Sequence, residues 1–245
     1  MSDDVSRETP SVPEVARRVF ASERLPLAER YTALLATEGV VRGLIGPREA
    51  PRLWERHVLN SAVMAEAIPD GASVCDIGTG AGLPGLVLAI ARPDTRVTLV
   101  EPLLRRTTFL EEVVAELSLD HVRVVRGRAE SLHGVDTFDV VTSRAVAPLE
   151  RLLTWSMPLV AAHGALVAMK GQSVTDEIEA AGSVLAQYRC GTPEVSVVGD
   201  GIVDPPTTLV RVPWADPSQI GWPLAGSTRA GSQRRGRRTA QRKVK

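Results

Sequence analysis

Residues 74–85 read "VCDIGTGAGLPG" (Val74 to Gly85), and the fold is decided there. Read from Gly80, the stretch satisfies G-x-G-x-x-G through Gly80, Gly82 and Gly85, the fingerprint of a dinucleotide loop. Read from Asp76, it gives D-x-G-x-G-x-G through Asp76, Gly78, Gly80 and Gly82, the pattern of a loop that holds S-adenosylmethionine. Glycines alone do not choose between the two. Either way, a strand must lead into the loop and a helix must follow it.

The flanking sequence supplies both. Short β-rich runs occur at 72–78, 96–101, 121–127, 138–143, 164–170, 194–199 and 207–213. Helical spacing is found at Leu83–Arg92, Leu103–Leu117, Leu149–Ala162 and Val174–Tyr188. In the second of these, Leu110, Val113, Val114 and Leu117 share one face. Such alternation predicts a mostly parallel sheet covered on both faces. No helix separates the last two strands, so they are expected to pair antiparallel at one edge. That is the Rossmann-like, seven-stranded α/β arrangement. Residues 13–67 show helical spacing without a strand. The expected organisation is a helical N-terminal cap over 1–68, a catalytic domain over 69–215 and a tail over 216–245.

In that setting the loop opens a helix, and its backbone N–H groups would meet a negative group of the ligand. Asp76 separates the candidates. A carboxylate at the strand end repels a pyrophosphate and attracts the ammonium and sulfonium of S-adenosylmethionine, unless it serves only to cap the turn. Glu101 ends the second strand 21 residues after Gly80, where an acid accepts from ribose hydroxyls. Ala129 and Glu130 follow the third strand, placed to read an adenine edge. The fourth strand ends in Ser143-Arg144-Ala145, where many amine methylases carry an Asn/Asp-Pro-Pro-aromatic run. Arg144 at that strand end suits an anionic cofactor group, an RNA phosphate or a guanine edge. Lys170 is one of only three lysines, the others being Lys243 and Lys245, and it ends the fifth strand before Gly171. It marks a place for a compact ammonium. Arg144 and Lys170 are therefore the candidate catalytic residues. No metal ligand set is expected.

Composition narrows the classes. The chain has 245 residues, 44% of them hydrophobic, and a net charge of zero. Neither a signal peptide nor a membrane span is evident, and the two cysteines suggest no disulfide framework, so a cytoplasmic monomer is expected. The neutral total hides an asymmetry. From Gly226 onward lie eight of the 29 basic residues and none of the 29 acidic ones, which leaves the remainder at a net of −8. Such a tail has too few apolar residues to bury itself and reads as a polyanion-binding or solubilising extension.

Together, "VCDIGTGAGLPGLVLAIARPDTRVTLVEP", "RTTFLEEVVAEL", "RGRAE", "FDVVTSRAVAPL", "ALVAMKGQ" and the upstream "RHVLNS" (Arg56 to Ser61) resemble the ribosomal RNA small subunit methyltransferase G family. The resemblance runs in order over roughly 50–215. It implies a class I S-adenosylmethionine-dependent methyltransferase fold and methylation of guanosine N7 in 16S ribosomal RNA near the decoding region. The implied partner is 16S RNA or the 30S subunit, with no membrane. Carried over by position, cofactor contacts fall on Gly78, Leu83, Ala129, Glu130 and Arg144. Two places depart from the family pattern: Asn60, where Asp is usual, and "GLIG" (Gly43 to Gly46), where Asn-Leu-Thr is usual. Trp54, Trp155 and Phe109 are the candidate stacking partners for a base, with a place in the core the favoured reading of each. A methylase of small molecules or proteins and a non-catalytic RNA-binding protein are the competing classes. A nicotinamide enzyme is disfavoured by Asp76.

Overall fold

Seven strands form one sheet: β1 (Ser73–Ile77), β2 (Arg96–Glu101), β3 (Val122–Arg126), β4 (Phe138–Arg144), β5 (Val160–Lys170), β6 (Glu194–Val198) and β7 (Thr207–Pro213). This is a computed structural model, and it describes residues 11–144 and 146–221. The basic segment from Gly226 onward lies outside the described residues. The strand order is β3-β2-β1-β4-β5-β7-β6. Strands β1 to β5 run parallel, and β7 lies antiparallel between β5 and β6. The expected antiparallel edge pair is thus present, with β7 on the inside and β6 at the rim.

Successive residues of a strand point to opposite faces, and the core divides accordingly. Val74, Val97, Leu99, Val140 and Val167 face α3 (Gly85–Ala91) and α4 (Leu104–Glu116). Cys75, Ile77, Val100, Val141 and Leu166 face α5 (Leu149–Ser156), α6 (Val174–Ala180) and α7 (Gly182–Gln187). Burial in that second cluster pushes the Cys75 thiol well above its ordinary pKa and leaves it a packing residue. The helices before β1 share the first core. Phe20, Tyr31 and Leu35 pack with Leu86 and Leu99, and so do Trp54 and Val58. They include α1 (Leu25–Leu34) and the three-residue α2 (Asn60–Ala62), which sits inside an otherwise 3-10 and π-wound stretch over 50–67.

Three elements differ from the sequence expectation. The helix expected over Leu149–Ala162 ends at Ser156, and β5 begins at Val160, because Pro158 has no N–H to continue the helical ladder. The helix expected over Val174–Tyr188 is broken at Ala181 (φ −80°, ψ 0°) into α6 and α7. The helical spacing expected from residue 13 onward begins with only a 3-10 stretch at Glu14–Arg18. None of these moves the carboxyl ends of β1, β2, β4 and β5, which open on one side of the sheet as the fold requires.

Candidate active site

Asp76, on β1, is completely buried beneath the start of α3. Its Oδ2 accepts from Thr79 Oγ1 at 2.5 Å and from the Gly85 N–H at 2.8 Å. Its Oδ1 is buried, with no hydrogen-bond partner among the described residues. The loop between is tight: Gly78, Gly80 and Gly82 have φ of +67°, +63° and +104°. The Gly78 and Thr79 amides bond to Val100 O, those of Gly82 and Leu83 to Thr79 O, and that of Leu86 to Gly82 O.

This corrects one expectation. The N–H groups of Gly78, Thr79, Gly80, Gly82, Leu83, Gly85 and Leu86 do not stand free for an anionic ligand group, because the chain's own carbonyls, Asp76 and Glu101 already accept from them. Asp76 is the anion at this helix terminus. It caps the turn and also leaves the inner end of the crevice negative. That arrangement disfavours a pyrophosphate still more strongly.

Burial pushes the Asp76 carboxyl up to about 7, against the pull of Thr79, the Gly85 N–H and Arg144. Free protein therefore holds a proton there below neutrality, and a cationic ligand favours the ionised form. The raised pKa also means that folding stability falls as pH rises from the ordinary carboxylate range through 7. S-adenosylmethionine affinity is expected to rise by up to about tenfold between pH 6 and 7.5, with proton release on binding. Asp76→Asn, which can still accept from Gly85 and Thr79, should bind more weakly and flatten that dependence. Calorimetry in buffers of different ionisation enthalpy reads both. An unaltered pH slope in the Asn variant would remove Asp76 as its source.

Tyr31 reaches the loop from α1. Fully buried, it donates to Ala81 O at 2.9 Å, and burial raises its phenol far above the ordinary range. Tyr31→Phe leaves Ala81 O unpaired and should cost about 1–3 kcal/mol in denaturant unfolding. A variant as stable as wild type would show that water replaces the hydroxyl.

Glu101, 1% exposed, accepts from the Gly80 N–H at 3.1 Å and from the Leu103 N–H at 3.0 Å. Arg106 pairs with it at 3.3 Å. It therefore ties the loop to the start of α4. Ala129 and Glu130 lie in a 3-10 turn just beyond β3, Ala129 buried and Glu130 exposed. Leu83 is packed into the core, and its N–H donates to Thr79 O.

Beside this crevice is a cleft of about 860 Å3, lined among others by Arg56, Asn60, Arg144, Lys170, Asp204 and Thr207. Arg144 projects to the cap face. Its guanidinium donates to Arg56 O at 3.3 Å and to His57 Nδ1 at 3.0 Å. Lys170 projects to the other face. Its ammonium donates to Ala147 O at 2.8 Å and to Glu177 Oε2 at 2.7 Å, and its side chain is 7% exposed. The two candidate catalytic residues thus line one cleft from opposite sides of the sheet. The lysine is committed to holding the segment after β4, which places Val146 against Gly78. An ammonium aimed freely at substrate is not what the structure shows.

Sequence reasoning missed Tyr31, Glu49, His57, Glu177 and the 203–208 segment. Most are far in sequence from the groups they meet, and no local pattern marks them. Asn60, at the departure from the family pattern, donates to Thr207 Oγ1 at 2.9 Å and fastens the cap to β7. Among the described residues, the cleft lining contains no aromatic ring. Trp54 and Phe109 are core residues, and Trp155 carries Arg151 over its ring at 5.0 Å. The expected stacking platform is therefore not among them. Among the described residues, no group of three or more His, Cys, Asp or Glu could hold a metal ion, and no helix is long and apolar enough to cross a membrane.

Comparison with known proteins places this geometry. The sequence profile of GidB, rRNA small subunit methyltransferase G, matches residues 24–198. A ribosomal RNA small subunit methyltransferase G of a Nocardioides species is 67% identical over 235 residues, covering 96% of this chain and 94% of that protein. The protein of the same name from Thermobifida fusca is 53% identical over 231 residues, covering 93% and 98%. Among solved structures, a SAM-dependent methyltransferase from Aquifex aeolicus aligns with a TM-score of 0.50 at 17% identity, over 70% of this chain and 97% of that one. The tRNA methyltransferase TrmK of B. subtilis aligns with a TM-score of 0.50 at 14% identity, over 69% and 71%. At such identities the two structures speak for the fold alone.

Proposed function

The chain belongs to the rRNA small subunit methyltransferase G family, and from that premise we propose how its residues divide the work. The protein is an S-adenosylmethionine-dependent methyltransferase that modifies N7 of a guanosine in 16S ribosomal RNA. S-adenosylmethionine supplies the methyl group on a sulfonium, and the carbon is electrophilic for that reason.

The observation that carries the reading is Asp76. A completely buried carboxylate with one oxygen spent on the glycine loop and the other unpartnered makes the inner crevice fit a cation. In this proposal Gly78, Gly80 and Gly82 let the backbone come close to the cofactor, and Leu83 adds apolar contact. Glu101 takes the ribose, and Ala129 with Glu130 meets the adenine. Arg144 stands where crevice and cleft meet, within reach of a carboxylate on one side or guanine O6 on the other.

The cleft takes the guanosine. Guanine N7 has a lone pair in the ring plane and no proton, so the chain needs no general base. Its task is to hold the base, keep water out and fix the approach, an effect that can supply ~7–11 kcal/mol of a barrier. Without an aromatic platform, the flat surfaces on offer are the Arg144 guanidinium and the prolines at 205 and 206. Arg56, its side chain 55% exposed, offers a phosphate partner at the mouth. The substrate is RNA presented from a loop or a locally unpaired segment.

The test is a map of 7-methylguanosine in 16S RNA from cells with and without this protein. One guanosine should lose its mark on deletion and regain it when purified protein and S-adenosylmethionine are added to the unmarked RNA or 30S particles. A map unchanged by deletion would overturn the assignment.

A further inference from the structure

Arg144 is the charged group at the junction of crevice and cleft, and what holds it comes from outside the sheet. Its Nη2 lies 3.0 Å from His57 Nδ1, and its Nη1 donates to Arg56 O at 3.3 Å. On the far side of the imidazole, His57 Nε2 lies 3.1 Å from Glu49 Oε2. A guanidinium can only donate, so Nδ1 must be the acceptor and the ring proton sits on Nε2, facing the carboxylate. The three side chains form a directed chain in which Arg144 donates to His57 and His57 donates to Glu49. Its exposure rises outward, from 16% for the His57 side chain to 33% for Glu49.

We propose that Glu49 and His57 are positioning residues that aim the Arg144 guanidinium into the active site, so that the N-terminal helical region works as part of the catalytic apparatus. The proposal rests on the reading that Arg144 meets the cofactor or the guanine. The directional chain sets it apart from ordinary packing. A side chain ending in five N–H groups on a flexible stem needs fixed acceptors to keep one orientation, and among the described residues the acceptors it bonds lie outside the sheet. The cap supplies two, a carbonyl and an imidazole nitrogen.

The charges around the ring agree. Burial and the neighbouring Arg144 hold the His57 pKa below its ordinary value, with Arg56 adding to that, while Glu49 pulls it up. The hydrogen bond from His57 in turn holds Glu49 below the usual carboxylate range. A neutral imidazole at working pH is what an acceptor toward Arg144 requires. Protonation would turn Nδ1 into a donor facing a cation.

Two variants separate the halves of the ring. Asn at 57 presents an amide oxygen near the Nδ1 position and keeps the acceptor for Arg144. Gln presents its amide near the Nε2 position and keeps only the contact with Glu49. In single-turnover methyl transfer to 16S RNA at saturating S-adenosylmethionine, His57→Gln should fall by roughly 100-fold, the cost of a misplaced group, and His57→Asn by far less. A second readout needs neither cofactor nor RNA. In an NMR titration of the free protein, Arg144→Ala should raise the His57 pKa and Glu49→Gln should lower it.

Equal rates for the Asn and Gln variants, or a His57 pKa that ignores Arg144→Ala, would overturn the proposal. If Arg144→Ala is slow but His57→Gln is not, Arg144 keeps its role and the positioning chain is wrong. If Arg144→Ala itself transfers methyl groups and binds S-adenosylmethionine like wild type, the reading of Arg144 fails and the proposal falls with it.

Discussion

Gly85→Ala should abolish useful S-adenosylmethionine binding, although residue 85 is buried behind the loop and cannot touch the ligand. A β-carbon there would overlap Leu99 Cδ2 on β2 and lie 2.8 Å from Asp76 Oδ2 and 2.9 Å from Asp76 Cβ. Neither neighbour has room to yield. Leu99 is fully buried, and Asp76 is held by the Gly85 amide itself. Relief must come from moving α3 away from β1, which drags Gly80, Gly82 and Leu83 along and breaks the Asp76 cap. Overpacking of this kind costs about 1–3 kcal/mol of stability. Because the distortion falls on the cofactor loop, affinity should drop by about 100-fold or more, equivalent to ~2.7 kcal/mol.

Gly78→Ala is the control. The added carbon would meet only Val146, its Cγ2 at 3.0 Å and its Cγ1 at 3.3 Å, but at a φ of +67°. It should weaken cofactor binding, and the left-handed φ should cost about 1–2 kcal/mol of stability. Calorimetric affinity alongside melting temperature, read on both variants, shows whether Gly85→Ala loses more affinity for a similar loss of stability. A Gly85→Ala protein with wild-type affinity would mean that the loop is not shaped by its contact with β1.

The strands were legible because most are short runs rich in β-branched residues between turn signals, and all seven observed strands overlap their expected runs. The glycine loop was legible for the same local reason. Where two local readings compete, sequence falls short. The apolar spacing at 149–162 suits a helix or the start of a buried strand, and only Pro158 hints that one gives way to the other. Asp76 shows the same ambiguity in the site. A carboxylate at a strand end can serve a cationic ligand or a helix terminus, and the eight residues between them do not reveal that the Gly85 N–H returns to lie over it. Here it satisfies the helix terminus and leaves its field for the ligand. Long-range chains such as Glu49, His57 and Arg144 have no sequence period at all. They exist only because the cap packs on the same face of the sheet to which β4 points its last side chain.

Lys170→Met should destabilise the protein by about 2–4 kcal/mol and slow methyl transfer, and both effects should arise from the unpaired Glu177. Glu177 Oε2 accepts from Lys170 at 2.7 Å and from the Leu149 N–H, at the start of α5, at 2.8 Å. Burial works against its charge, but the lysine and the Leu149 N–H prevail and hold its pKa below the usual carboxylate range. Removing one partner of a buried pair strands the other, which costs ~3–5 kcal/mol when both are fully buried. Here Glu177 is 23% exposed and recovers part of that from water. With the ammonium gone, Ala147 O also loses its donor, and the segment that lays Val146 on Gly78 loses its anchor. If this anchoring is the whole role, Lys170→Met combined with Glu177→Gln should regain most of the stability, because glutamine still accepts from Leu149 without an unpaired charge, and transfer should recover in step. A direct role on RNA gives a different result: Glu177→Gln alone frees the ammonium and maintains or raises the rate, and the double variant folds well yet stays inactive. Unfolding midpoints and single-turnover rates on the three proteins decide it, and a stable but inactive double variant would return Lys170 to the substrate.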